Sequence, residues 1–393
     1  MIAVLTLLAA AAAPGTGGLF SLLPDNPLDG SRLFADKGCL ECHSVQSTGG
    51  RIGPDLGRGR MNRPLLEIAG VMWNHSPRME HAFRERHIAR PRFEAKEMAT
   101  LLAFLYSLGS FEEPGDAVAG ARLFHDKQCA RCHQVSGAGG RVGPALDRFA
   151  AYASPLYLTS ALWNSGKKMS AKMKEMNIER PVFGGKDIAD LLAFIRREGG
   201  GLERVYAQPG NPRRGEKLFA QKSCSGCHAI NGQGGGFAPD LGRELKGTLM
   251  QVAGAMWNHG PGMWARMSGR GVPLPKLTPE EAGDLISYLY FLQFIDPPGN
   301  AQRGLVVYRE ARCVTCHEAV AGGKRAAPSL TGGSERFKSS LEIVALMWNH
   351  GAQMEQLMAE VNVAWPTLKG TEMADLIAYL FTARGPEVAA KPQ

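Results

Sequence analysis

The chain holds eight cysteines, and they fall into four pairs, each with two residues between its members and a histidine directly after. The four sites read Cys39-Leu40-Glu41-Cys42-His43, Cys129-Ala130-Arg131-Cys132-His133, Cys224-Ser225-Gly226-Cys227-His228 and Cys313-Val314-Thr315-Cys316-His317. Two intervening residues put both sulfurs on one side of a helical turn. From there they can form thioethers with the two vinyl groups of a porphyrin while the adjoining imidazole reaches its iron. Two other chemistries use paired thiols. A zinc knuckle needs a second ligand pair at each site, and no cysteine is left over to supply one. A redox dithiol has no need of the histidine, which is present every time. The pattern therefore predicts four covalently attached haems c, with His43, His133, His228 and His317 on the iron.

Eleven residues beyond each of these histidines stands a proline: Pro54, Pro144, Pro239 and Pro328. A metal-bound imidazole usually donates its other ring N–H to a carbonyl, which fixes the ring and tunes the metal. The carbonyls of these prolines are the candidates, with a plain turn as the alternative.

A sixth ligand must come from elsewhere. A second recurring column carries Trp73-Asn74, Trp163-Asn164, Trp257-Asn258 and Trp348-Asn349, followed at a fixed distance by Met79, Met169, Met263 and Met354. These methionines lie 35 to 37 residues after the histidine, far enough for the chain to pass around a macrocycle. Rival columns are incomplete. His75, His259 and His350 are matched by Ser165; Met173, Met267 and Met358 by Phe83; Met72, Met256 and Met347 by Leu162. The four tryptophans are expected to wall the haem, with an indole N–H free for a propionate or a carbonyl, or else to serve as core alone. The asparagines are expected to cap or bend the chain near the methionine.

The elements that must position these groups repeat as well. Each copy opens with a proline six residues before a glycine, at Pro24, Pro114, Pro209 and Pro298, so the copies start 90, 95 and 89 residues apart. Asn26, Asp116, Asn211 and Asn300 stand where a cap or turn is expected. A short helical pattern follows, with Phe34, Phe124, Phe219 or Tyr308 five residues before the first cysteine. Each copy closes with an amphipathic helix, such as Leu101-Leu102-Ala103-Phe104-Leu105. The opening glycine is expected to let this last helix cross closely, with two aromatics beside the contact. Strand signals are nearly absent, and the expected class is all-α.

The expected domains are 24–110, 114–198, 209–295 and 298–384, joined by linkers rich in Gly and Pro. Residues 1–23 read as a signal peptide, with a hydrophobic N-terminal anchor as the alternative, and 385–393 as a frayed tail.

Each copy resembles a class I, mitochondrial-type cytochrome c domain, and the resemblance runs from Pro24 to about Arg384. It rests on the opening glycine with its aromatic, the paired-cysteine motif, the proline and the closing helix. It implies a small helical domain around haem c, with His and Met axial ligands and one haem edge exposed. One departure stands out. The family's usual methionine sits just before a proline and an aromatic ahead of the last helix, where this chain has Arg90, Arg180 and Trp365. The third copy is irregular there, around Val272-Pro273-Leu274, and the methionine has moved back to the Trp-Asn helix.

Formal charge is +8, which would suggest an acidic partner or an anionic surface. Eight haem propionates would bring the loaded protein close to neutrality, so charge points to no nucleic acid. Saturated His/Met coordination favours the ferrous state and leaves no open iron for substrate. The expected function is that of an electron carrier, not an enzyme, outside the cytoplasm. Its expected partners are a membrane-bound oxidoreductase or photosynthetic complex and a second redox protein. The alternatives are a peroxidase-like haem enzyme and a redox or gas sensor, in either of which one haem would lose its methionine.

Overall fold

The computed structural model describes residues 23–58, 61–110, 115–150, 154–200, 209–318, 327–330 and 336–383. The N-terminal segment read as a signal, Leu23 apart, and the C-terminal tail lie outside them. Three main helices recur in each repeat. The first repeat has α1 (Asp29–Asp36), α2 (Leu65–Glu85) and α3 (Ala95–Leu108); the second has α4 (Ala117–Asp126), α5 (Pro155–Glu175) and α6 (Asp187–Glu198). The third has α7 (Pro212–Gln221), α8 (Leu249–Gly269) and α9 (Pro279–Phe291), and the fourth α10 (Ala301–Glu310), α11 (Ser340–Glu360) and α12 (Glu372–Thr382). The expected all-α class holds. Sheet is confined, among the described residues, to three antiparallel hairpins of two-residue strands, which pair Ser44–Val45 with Thr48–Gly49 and recur in the second and third repeats.

Opening and closing helices cross at the glycine. A Cβ on Gly120 would lie 1.9 Å from the Asp190 carbonyl oxygen, and one on Gly304 would lie 1.9 Å from that of Asp375, so no larger residue fits. Beside the crossing the aromatic pairs Phe34–Phe104, Phe124–Phe194, Phe219–Tyr288 and Tyr308–Tyr379 sit 5.2 to 5.6 Å apart. Asp116, Asn211 and Asn300 cap α4, α7 and α10. Their own N–H groups are received by Asp190, Asp284 and Asp375 of the closing helices at 2.6 to 2.7 Å. The first repeat has Thr100 in that place.

The long helices, each of 21 residues, carry the Trp-Asn column and bind the repeats to one another. Ser154, Thr248 and Ser339 cap α5, α8 and α11 from within their own repeats. Helix α2 starts at Pro64, which has no side-chain donor or acceptor, and its Leu66 N–H is received by Asp296 from the segment joining the third and fourth repeats, at 2.9 Å. Burial pushes the Asp296 carboxyl up to about 7.

Chain order and spatial order differ. Helix α2 packs on α11 and α12 of the fourth repeat, while α5 packs on α8 and α9 of the third. The repeats are thus paired first with fourth and second with third. The two pairs meet where α3 and α9 end. There the Tyr106 hydroxyl donates to the Tyr290 carbonyl at 2.8 Å and the Tyr290 hydroxyl to the Tyr106 carbonyl at 3.3 Å, with both rings buried. Among the described residues no helix is long and apolar enough to cross a membrane.

Candidate functional site

The turn that carries each cysteine pair begins with a residue in the left-handed region: Gly38, Gln128, Ser223 and Arg312, at φ of 58 to 76°. This reverses the chain at the end of the opening helix, so that the cysteines and histidine face back toward the closing one. In the first three repeats the lysine one residue earlier locks the reversal. Lys37, Lys127 and Lys222 pair with Glu97, Asp187 and Glu281 at the start of the closing helix at 2.7 to 3.0 Å. They also donate to the carbonyls of Arg92, Val182 and Lys276. Sequence reasoning passed over these lysines, although their position two residues before the first cysteine was visible; the fourth repeat has Ala311 there.

None of the eight cysteines is disulfide-bonded. Burial among apolar groups pushes the first thiol of each pair, Cys39, Cys129, Cys224 and Cys313, up to about 11. A dithiol oxidant needs a depressed thiol, so this environment is the opposite of the one such chemistry uses.

The histidines are held alike in all four repeats. Nδ1 of His43, His133, His228 and His317 lies 3.1, 2.9, 3.0 and 2.8 Å from the carbonyls of Pro54, Pro144, Pro239 and Pro328. With Nδ1 committed to that carbonyl as donor, Nε2 is left with its lone pair for a metal. At Gly143 the fit is close, since a Cβ there would lie 2.3 Å from the His133 ring.

Two cavities open on these rings. In the second repeat a cavity of about 690 Å³ is bounded by Cys129, Cys132, His133, Pro144, Met169, Met173 and the closing-helix residues Leu191, Leu192 and Ile195. In the third, one of about 520 Å³ is bounded by Cys224, His228, Pro239, Met256, His259, Met263 and Leu285. Both volumes lie within the roughly 300 to 1,000 Å³ of cofactor sites. Thiol, imidazole and thioether side chains among apolar residues are the donor set and lining that haem c requires. Met169 and Met263 are the methionines common to both cavities; Met173 has no lining counterpart in the third repeat. Met79 and Met354 hold the same place on α2 and α11, half-buried against the core. His75, His259 and His350 are exposed, and each turns Nδ1 to a carbonyl one turn back on its own helix.

The tryptophans differ from expectation in an instructive way. Trp257 of the third repeat lines the cavity of the second, and Trp163 of the second lines that of the third. Each indole N–H crosses to the paired repeat. Trp163 donates to the Pro275 carbonyl and Trp257 to Pro181, both at 2.8 Å, while Trp73 donates to Pro366 at 3.0 Å and Trp348 to Pro91 at 2.7 Å. The asparagines stand within the long helices and do not cap them. Asn74, Asn164, Asn258 and Asn349 each donate to the C=O and accept from the N–H of one residue across the interface, Leu368, Leu277, Phe183 and Phe93 respectively. This also settles the third repeat. Pro275, not Pro273, is the equivalent of Pro91, Pro181 and Pro366, so the segment is regular and Leu274 stands where Arg90, Arg180 and Trp365 do.

Those last residues separate the two pairs. Arg90 lies 4.0 Å over the Trp348 ring, donates to the Trp348 carbonyl and Ser76, and pairs with Glu80 at 3.2 Å; its side chain is 10% exposed and that of Glu80 9%. Arg180 lies 3.7 Å over the Trp257 ring, but its side-chain partner is the Ser170 hydroxyl at 3.0 Å. Burial with no opposing charge lowers its guanidinium to about 10.

The model of the cytochrome c family matches residues 117–197, 212–293 and 301–384, leaving the first repeat unmatched. The chain belongs to the cytochrome c family and is a haem-binding, electron-transferring protein of class I type. It is 29% identical over 166 residues to the cytochrome c4 of Stutzerimonas stutzeri, a stretch that covers 38% of this chain and 76% of that protein. No solved structure matches the chain significantly.

Proposed function

We propose that the chain is a four-haem relay, with one haem c in each repeat, the first included. The observation that carries this reading is the fourfold recurrence of one arrangement: a cysteine pair on a left-handed turn, with a histidine whose Nδ1 is fixed by the carbonyl eleven residues on. The first repeat has it as fully as the three that match the family.

The cysteines at positions 39, 42, 129, 132, 224, 227, 313 and 316 form the thioethers. His43, His133, His228 and His317, with Met79, Met169, Met263 and Met354, would supply the protein ligands of the iron. The haem, when bound, would supply a one-electron iron centre. The residues around it do the rest. The proline carbonyls keep each imidazole in one tautomer and orientation, the closing helix keeps water from the thioether side, and the crossed tryptophans form a continuous apolar wall between paired cavities. Contacts between repeats, not chain order, then decide which centres exchange: first with fourth, second with third, and one pair with the other near Tyr106 and Tyr290. The donor and acceptor are a membrane redox complex and a second redox protein outside the cytoplasm.

Mass spectrometry of the purified protein tests the count directly, since four tetrapyrroles must be bound and the Cys39–Cys42 peptide must carry one of them. Met169→Ala should remove one quarter of the far-red ferric absorption of sulfur-ligated haem. An unchanged spectrum would reject that methionine column.

A further inference from the structure

The contacts between repeats put them in a line that differs from chain order. Bonds that cross from one pair to the other join the first repeat to the third: the Tyr106 hydroxyl to the Tyr290 carbonyl, and the Arg213 guanidinium to the Leu23 carbonyl at 2.6 Å and the Asp25 carboxylate at 3.2 Å. With first paired to fourth and second to third, the line runs fourth, first, third, second. Its two ends are the fourth repeat and the second, and the N-terminal repeat lies inside it.

The two ends carry opposite charge on equivalent helices. After Trp163, α5 presents Lys167, Lys168, Lys172 and Lys174 to solvent, and its one carboxylate there, Glu175, pairs with Lys172 at 2.6 Å. Lys167, Lys168 and Lys174 have no ion pair among the described residues. The same four columns of α11 hold Ala352, Gln353, Leu357 and Ala359, with Glu355 and Glu360 in that stretch and no lysine or arginine. The interior repeats have no lysine in these columns either; Arg84 of the first pairs with Glu80, and Arg266 of the third donates to the Phe237 carbonyl. The lysines of α5 stand at an opening. Lys168 and Lys172 line the second repeat's cavity, which has no carboxylate among its described lining residues. Val142 lines it too and is 53% exposed, with Arg141 next to it in the chain. An exposed apolar side chain rimmed by cations without counter-ions has the make-up of a docking surface, in which the apolar centre sheds water and the charged rim orients the partner.

We propose that the second repeat is one port of the relay and that an acidic one-electron redox protein docks there, with its carboxylates on Lys167, Lys168, Lys172 and Lys174 and its apolar contact on Val142. The inference rests on the four-haem reading of the chain and adds to it which repeat meets a partner and what charge that partner bears. One electron crosses the contact, so that the centre of one protein is oxidised as that of the other is reduced, and no bond forms or breaks. At the equivalent place the fourth repeat is neutral to acidic, so the same partner is steered away from the far end. Entry and exit are thereby kept at opposite ends of the line.

The test uses the full-length holoprotein with an acidic plant-type ferredoxin as the probe. Haem on the Cys129–Cys132 peptide comes first, since its absence from the parent would remove the four-haem reading and this inference with it. With that haem present in parent and variants, the rates judge the inference alone. One variant combines Lys167→Gln, Lys168→Gln and Lys174→Gln. A second combines Ala352→Glu, Gln353→Glu and Ala359→Glu, the same change of charge in the same columns of the fourth repeat. At about 0.01 M salt, where charges act over roughly 30 Å, the lysine variant should be reduced by ferredoxin about tenfold more slowly than the parent. Its rate should also depend less on salt, and its affinity for oxidised ferredoxin, measured by calorimetry, should fall to match. The fourth-repeat variant should stay within about twofold of the parent in both measurements. Losses that are equal in the two variants, larger in the fourth-repeat variant or absent from both would overturn the proposal. So would flotation of the parent, but not of the lysine variant, with vesicles of anionic lipid while the ferredoxin rates stay alike, because the occupant would then be a membrane surface.

Discussion

At the contact of the first and fourth repeats an arginine is held by a glutamate, a serine and a carbonyl; at that of the second and third the same arginine has a single serine and an indole face. The two contacts are otherwise built alike, with reciprocal Trp-to-carbonyl and Asn-to-amide bonds of nearly equal length. Geometry and charge have thus been separated: one clamp is used twice, and the electrostatics within it differ.

The sharpest way to break this contrast is to remove the carboxylate from the outer pair. Glu80→Gln leaves Arg90 buried without its ion partner and is expected to cost about 3 to 5 kcal/mol, read as earlier melting of the first and fourth repeats. The complementary change, Ser170→Glu, should do little harm to stability. A loss in Glu80→Gln below about 1 kcal/mol would mean that Ser76 and the Trp348 carbonyl hold Arg90 without the carboxylate.

The shared clamp can be tested next. Asn258→Ala and Asn349→Ala each delete two hydrogen bonds to the backbone N–H and C=O of one interfacial residue and should cost about 1 to 3 kcal/mol, by equal amounts in the two pairs. Unequal losses in denaturant titrations would show that the charge difference reaches the clamp after all.

The smallest effect concerns the borrowed helix cap. Asp296 receives the Leu66 N–H, and replacing it with Ala should cost about 1 kcal/mol. Its carboxyl is raised by burial from 3.8 to about 7, so the folded protein holds that proton more tightly than the unfolded chain does. Its contribution is fully present below about pH 4 and is lost as pH climbs through 7. Melting between pH 4 and 8 should show a decline that Asp296→Asn abolishes; no such decline is expected from α5, whose cap is the hydroxyl of Ser154.

Much of this was legible in the sequence because it is local and repeated. The opening glycine, its aromatic and the closing helix lie within one repeat, and their recurrence gives both the helical class and the close crossing. The interval from His133 to Pro144 reappears as a hydrogen bond for the same reason. What could not be read was direction. Trp73 and Trp257 recur because every repeat uses them against another, yet recurrence alone says nothing about which repeat they face, and the assignment to their own cavities was the natural one. The pairing itself joins residues almost 300 positions apart, such as Trp73 and Pro366, and leaves no periodic trace. With Pro273 and Pro275 two residues apart, it takes the Trp163 and Asn164 bonds to distinguish the equivalent proline.

The nested pairing also sets an order of assembly. A chain made from its N-terminus can bring the second and third repeats together as soon as α9 exists, but the first must wait until Pro366 and Leu368 are made before Trp73 and Asn74 find their carbonyls. Throughout synthesis the earliest-made repeat is therefore the least complete, with its interfacial face wet and its partner unborn. A product interrupted before Pro366 would leave the central half sound and both outer members exposed to proteolysis.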